Sequence, residues 1–263
     1  MKNRGVLSQS RGKLSSRAER GTADSDSLLM EPLSMKPARL PVALILTTAL
    51  VPAAILHAAA PGHSLSRTTT MPRGVATKIA SMIDKAGYRI SNPKGPVCSV
   101  WLVKDVPIRD NFKPSLSNLY PFTNGQLIGL LQVHPKTGYT DFRGQELKPG
   151  VYTLRYGLQP EDGNHVGTSD TADFLLALPA SIDQDPKPIF GPQDLSTKSA
   201  KSAGAAHPAI FSMVTPKGTI KTASVSHDED HDFWILNIPA PARTKTRSAK
   251  VDLRFIAIGR TSE

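Results

Sequence analysis

Short runs rich in β-branched, aromatic and aliphatic residues, each closed by Pro, Gly, Asn or Asp, restrict what this chain can fold into more than any other feature. They fall at 88–90, 97–103, 127–134, 151–158, 174–178, 210–214, 233–238 and 251–258, in a chain holding 22 Pro and 19 Gly. Runs of this length and composition read as strands. Eight of them with polar punctuation predict an all-β chain. The expected form is an antiparallel β-sandwich, jelly-roll or Ig-like, or a barrel, with one or two short peripheral helices.

Within 151–158, alternation assigns Tyr152, Leu154, Tyr156 and Leu158 to the core, and Val151, Thr153, Arg155 and Gly157 to the other face. Lys148-Pro149-Gly150 just before it is a turn signal, with proline fixing φ and glycine free to take φ > 0. A hairpin is therefore expected from the 127–134 run through 139–142 into 151–158. Val75, Ile79, Met82, Ile83 and Ala86 have helical spacing with Gly87 as a stop, which predicts a helix over 74–86. A second short helix is expected within 190–207, with Asp194 as N-cap and Gly204 as stop. Cys98 is the only cysteine, so no internal disulfide forms, and its apolar run predicts a buried small hydrophobe instead of a reactive thiol.

Residues 40–56 read LPVALILTTALVPAAIL, with Lys36 and Arg39 before them and Ala58, Ala59 and Ala60 after. Basic start, apolar middle and small-residue exit make the plan of a signal peptide, expected to be cut after Ala58 or Ala59. The alternative is an uncleaved anchor in the inner membrane, the one membrane contact expected. It is disfavoured because a spanning helix needs about 20 apolar residues, and this run is shorter and holds Thr47, Thr48 and Pro52. Residues 1–34 are polar, rich in Ser and Arg, and without apolar periodicity. They read as disordered, or as an extension upstream of a true start at Met35 or Met30. The expected organisation is thus extension 1–34, signal peptide 35–59, linker 60–73 and one β-sandwich domain 74–263, exported to the periplasm or beyond.

The net charge of +10 would suit a nucleic acid or an anionic surface. Residues 1–39 hold eight Lys/Arg against four Asp/Glu, however, leaving 24 against 18 for the rest. The densest basic stretch, Arg243, Lys245 and Arg247 with Lys250, follows Pro239 and Pro241 and reads as a solvated loop. It lacks the interleaved aromatics of a single-strand-binding surface, so nucleic acid is not an expected partner.

The stretch DFRGQELKPGVYTLRYGLQPEDGNHVG at 141–167, with VCSVWLVK at 97–104, DFLLALPA at 173–180 and HPAIF at 207–211, resembles a group of exported bacterial proteins without assigned function. The resemblance implies a secreted or periplasmic β-sandwich-like domain and carries no substrate.

Two loops concentrate polar chemistry. Glu161, Asp162, Asn164 and His165 follow the 151–158 strand. Their oxygens suit Ca²⁺, and His165 adds a nitrogen for a transition metal; alternatively Asp162-Gly163-Asn164 simply makes a tight turn. The second loop is Ser226-His227-Asp228-Glu229-Asp230-His231-Asp232. On a helix, His227 and His231 would share a face and chelate Zn²⁺ with a carboxylate such as Asp230. Pro216 and Gly218 before it and a strand after it favour a solvated hairpin loop, and the His-Glu-x-x-His order is missing. Arg143 and Arg155, with Asp141 and Glu146, suggest a polar sheet face or an anion-binding surface. His134 and His207 each adjoin a proline and are structural or functional. No Gly-x-Ser-x-Gly elbow or phosphate-binding glycine loop occurs, so nucleophilic catalysis has no evident carrier.

The expected function is a non-enzymatic binding or envelope-associated module. Its partner would be a carbohydrate, a cell-envelope component or another exported protein. The alternative is a metal-binding protein or metal-dependent hydrolase, in which a divalent metal is held by His165, His227 and His231 with Asp162 or Asp230.

Overall fold

The structure, a computed structural model, describes residues 62–115, 118–159 and 171–261. The 40–56 run, the 1–34 extension, and Glu161, Asp162, Asn164 and His165 lie outside the described residues. Each of the eight predicted runs is a strand or lies largely within one. The strands are β1 (Ser64–Thr68), β2 (Gly87–Asn92), β3 (Gly95–Leu102), β4 (Val106–Pro107), β5 (Leu127–Val133), β6 (Gly150–Leu158), β7 (Asp173–Pro179), β8 (Ala209–Ser212), β9 (Ser224–Asp228), β10 (Phe233–Arg243) and β11 (Ser248–Ile258). Among the described residues two helices, α1 (Thr77–Ala80) and α2 (Pro192–Ala203), accompany them.

Seven strands form one antiparallel sheet in the order β1-β2-β3-β5-β6-β7-β8, and the predicted hairpin is its β5–β6 pair. The β10–β11 hairpin forms a second sheet, with β9 antiparallel and β4 parallel along the other edge of β10. Inner-face residues of both sheets share one apolar cluster, including Val100, Leu130, Leu154 and Leu175 from the first and Leu236, Leu253 and Phe255 from the second. At about 1.5–3 kcal/mol for each large side chain withdrawn from water, this cluster is the main source of stability. Beyond β8 the two sheets join. Met213 bridges Phe255, Val214 N–H donates to the Arg254 carbonyl at 3.1 Å, and the Tyr120 hydroxyl donates to Val214 O at 2.8 Å.

Four expectations change. Residues 64–68, read as linker, form β1, in register from Ser64 opposite Ser91 to Thr68 opposite Gly87. The folded domain therefore begins ahead of residue 74. The helix expected over 74–86 shrinks to α1. Ile79 and Ile83 are buried as its periodicity required, but Ile83 bridges Val103 and Asp84 N–H donates to Leu102 O, so sheet-type pairing captures the second half. In α2 the cap is Gly191 with Pro192 at N1, as suits a helix start. Asp194 sits in the first turn and pairs with Lys198 at 2.8 Å, while Gly204, left-handed at φ 63°, ends the helix as predicted. Finally, β10 continues through Pro239 and Pro241, where the sequence reads as loop. Both prolines fall between the stretches paired with β9 and β4, where one side of β10 has no neighbour among the described residues and a missing N–H is tolerated.

Candidate functional site

On β6 the inner residues Tyr152, Leu154 and Tyr156 are buried as alternation requires, but the opposite face is buried too. Thr153 and Arg155 are both 0 % exposed. All five guanidinium N–H donors of Arg155 have partners. Nε and Nη2 form a fork on the Asp183 carboxylate at 2.6 and 2.8 Å, Nη1 donates to the carbonyls of Gly125 and Lys187 at 2.8 Å, and Nη2 also reaches Asp185 O. Thr153 donates to the same carboxylate. Arg155 is thus a pin holding the 183–189 segment on the sheet, and the anion-binding role read for it with Arg143 is corrected: nothing is left with which to hold a ligand. Asp141, placed near both in that reading, is likewise engaged. It accepts from Arg143 N, Gln145 N, Gln145 Nε2 and Ile210 N, tying the 141–145 turn to β8.

Past the Arg155 pin, α2 and the sheet leave a groove of about 310 Å³ between them. β7 supplies the floor. Phe174 and Leu176 point outward while Leu175 and Ala177 enter the main core. Opposite Phe174 stands Gly157, and a Cβ there would run into the Leu176 side chain, so the missing side chain gives Leu176 its room. Leu195 of α2, Phe142 and Ile210 close the apolar walls. Phe142 is fixed at both backbone groups, its N–H donating to Ile210 O and its carbonyl accepting from Thr261 N, each at 2.8 Å. At the mouth Leu158 is 39 % exposed, with Arg143, His207, Asn124, Gln159 and Ser196 as polar rim. Of the sequence-predicted ligand residues that are described, Arg143 and Arg155, the groove takes in Arg143; the end of β6 lies at its mouth.

The histidine cluster does not converge. His227 is the fourth residue of β9, paired opposite Trp234, and its ring stacks on that indole with centroids 4.1 Å apart. Its Nε2 meets Asp232 Oδ1 at 2.8 Å. His231, in the turn, stacks instead on Phe233 and meets Asp228 at 3.3 Å. Strand and turn geometry give each ring its own carboxylate and its own aromatic neighbour, and Asp230 stands exposed at the tip. Among the described residues no three His, Cys, Asp or Glu side chains gather to hold a metal ion. The helical zinc arrangement read for His227, Asp230 and His231 is corrected accordingly, while His165 and Asp162, read as further ligands, lie outside the described residues. His63 packs edge-on against the same Trp234 at 4.6 Å; burial, with His227 adding and Asp232 opposing, holds its imidazole below the ordinary range.

His134 meets Ser99 Oγ at 2.9 Å, the pairing a nucleophile and its base would show. Ser99 is 0 % exposed, however, and also receives Arg89 Nε at 3.4 Å, so no substrate reaches it. Cys98 is equally enclosed, and burial pushes its thiol up to about 12.

Known proteins add nothing to this picture: no family model, no curated protein and no solved structure matches the chain. The groove rests on its geometry alone. Sequence reasoning missed Phe142, Phe174, Leu176 and Leu195. One signal was there. The run Phe174-Leu175-Leu176-Ala177-Leu178 is apolar at every position, as in strands covered on both faces, so an outer apolar layer was already implied.

Proposed function

We propose that this chain is an exported, non-enzymatic binding module, a β-sandwich of its two sheets, that takes an alkyl or acyl segment of a cell-envelope component into the groove beside α2. The carrying observation is the apolar floor of Phe174 and Leu176, walled by Phe142 and Leu195, beneath a mouth bearing Arg143 and His207. A volume of about 310 Å³ is at the lower end of the roughly 300–1,000 Å³ of small-molecule sites, which suits one chain end with a polar or anionic head. A carbohydrate would want an open aromatic face and many hydrogen-bonding groups. Trp234 offers neither, being covered by His63 and His227. The run at 40–56 supports export, and the meander order of the larger sheet makes a simpler sandwich than the Greek-key Ig-like and jelly-roll plans.

Displacement of an apolar fluorescent probe by dodecanoate and by dodecanol tests the reading. Ser196→Trp fills the groove from α2 and is expected to abolish binding of both; Arg143→Glu is expected to weaken dodecanoate while sparing dodecanol. Unchanged binding in Ser196→Trp sinks the groove reading. Export is tested separately by the N-terminus of the native protein, expected just after Ala58 or Ala59.

A further inference from the structure

A second concavity, of about 470 Å³, lies between β4 and the turn joining β10 to β11. Three cations line it, Arg109, Arg243 and Lys245, against one carboxylate, Asp110. Its frame is fixed by backbone pairing. Arg243 lies opposite Pro107 in the parallel β4–β10 ladder, and Ile108 N–H donates to Arg243 O at 2.9 Å. Gln126, buried at 7 % exposure, donates to Pro107 O at 2.8 Å and accepts from Thr123 N at 3.1 Å. The turn that presents Lys245 is held by Thr244, whose N–H donates to Arg247 O and whose Oγ1 accepts from the N–H groups of Thr246 and Arg247. Arg109 lies over the Phe112 ring at 4.5 Å and donates one Nη2 bond to Tyr120 O. Among the described residues none of the three cations has a carboxylate within ion-pair distance.

The fold thus holds three like charges around one concavity without neutralising them, a repulsive arrangement that an anion relieves. Counting Asp110, the lining carries a surplus of two positive charges. A carboxylate would cancel half of that. A phosphate monoester, at about −1.5 to −2 near neutral pH, cancels nearly all of it and offers three oxygens to two arginine forks. We propose that this depression is a phosphate-binding site, with Arg243 and Lys245 on one wall and Arg109 on the other. It is independent of the groove reading. A soluble phosphate and a phosphate-headed lipid share this chemistry, and the experiment separates them.

Inorganic phosphate is titrated into the purified protein at constant ionic strength against chloride, and vesicles of phosphatidylcholine with and without phosphatidic acid are tested for retention. Two variants lose the same charge from the same hairpin: Arg243→Gln/Lys245→Gln inside the depression, and Arg247→Gln/Lys250→Gln outside it. Saturable binding of at least one probe is expected, weakened about tenfold or more by the first variant and less than about twofold by the second. Binding of free phosphate identifies a soluble ligand; retention only on phosphatidic acid identifies a lipid head. Failure of both probes to bind saturably, or equal weakening by the two variants, overturns the proposal. The exchanged side chains are exposed, so melting temperatures should match the parent and exclude misfolding as the cause.

Discussion

Removing the Asp183 side chain should damage this protein more than removing any charge on its surface. In Asp183→Ala the Arg155 guanidinium remains buried, still bonded to three carbonyls, but without the carboxylate that accepts its fork. Thr153 loses its acceptor as well. Breaking a buried pair by deleting one partner costs about 3–5 kcal/mol, because the surviving charge has no compensation. That is a fifth or more of the roughly 5–15 kcal/mol that holds a domain folded. With an m-value of about 3 kcal/mol/M, the urea midpoint should fall by about 1–1.7 M. The double variant Arg155→Met/Asp183→Leu removes the stranded charge and should lie well above the single variant, though three carbonyls then lose a donor. A midpoint within about 0.3 M of the parent for Asp183→Ala would refute the reasoning, since it would mean that Arg155 is not committed to Asp183 and is free for a ligand. A double variant less stable than Asp183→Ala would refute it as well.

Cys98 should be inert in the folded protein: a thiol pushed up to about 12 by burial is neither ionised nor reachable at pH 8, so an aromatic disulfide reagent should release no chromophore until denaturant is added, and then one equivalent. Rapid reaction of the native protein would show the β3 region to be open. Acid should weaken the fold through His63 and His134, whose imidazoles burial holds below the ordinary range, with Arg89 adding at His134. The unfolded chain then takes up protons first, so this contribution is present above about pH 6.5 and lost as the pH falls from there towards the lowered folded values. Asp141, raised by burial, has the opposite sign and gains as the pH drops. Between pH 7.5 and 5.5 the melting temperature of His134→Gln should therefore fall less than that of the parent, and identical slopes would contradict the assignment.

The apolar strands were legible because each is a dense run of core residues ended by a turn former. Those the sequence hid are β1, SLSRT, β9, SVSHD, and the two-residue β4, short or polar segments whose strand form comes from the neighbour they pair with. Propensity carries no such information. In β10 the prolines signalled a break, and only the unpaired side of that strand explains why the ladder survives them. The site was legible at its edge, through Arg143 and the end of β6, and hidden at its centre. Arg155 looked like a surface cation because the residues that bury it, Asp183 to Lys187, lie about thirty positions downstream in a segment with no periodic pattern. His227 and His231 looked like a chelating pair because spacing cannot say that one ring belongs to a strand and the other to a turn.

The order in which the sheets appear along the chain bears on synthesis. Leu130, Leu154 and Leu175 are complete as a sheet face once β8 has been made, yet the surface that covers them comes from Leu236, Leu253 and Phe255, near the end of the sequence. A ribosome that has finished β8 but not yet made β10 and β11 is still holding a greasy half-core open to water. Such long-range closure delays folding until the β10–β11 hairpin is released. The nascent chain consequently stays loose enough to be handed to chaperones or drawn through a narrow pore, and it locks only after strand β11 has arrived.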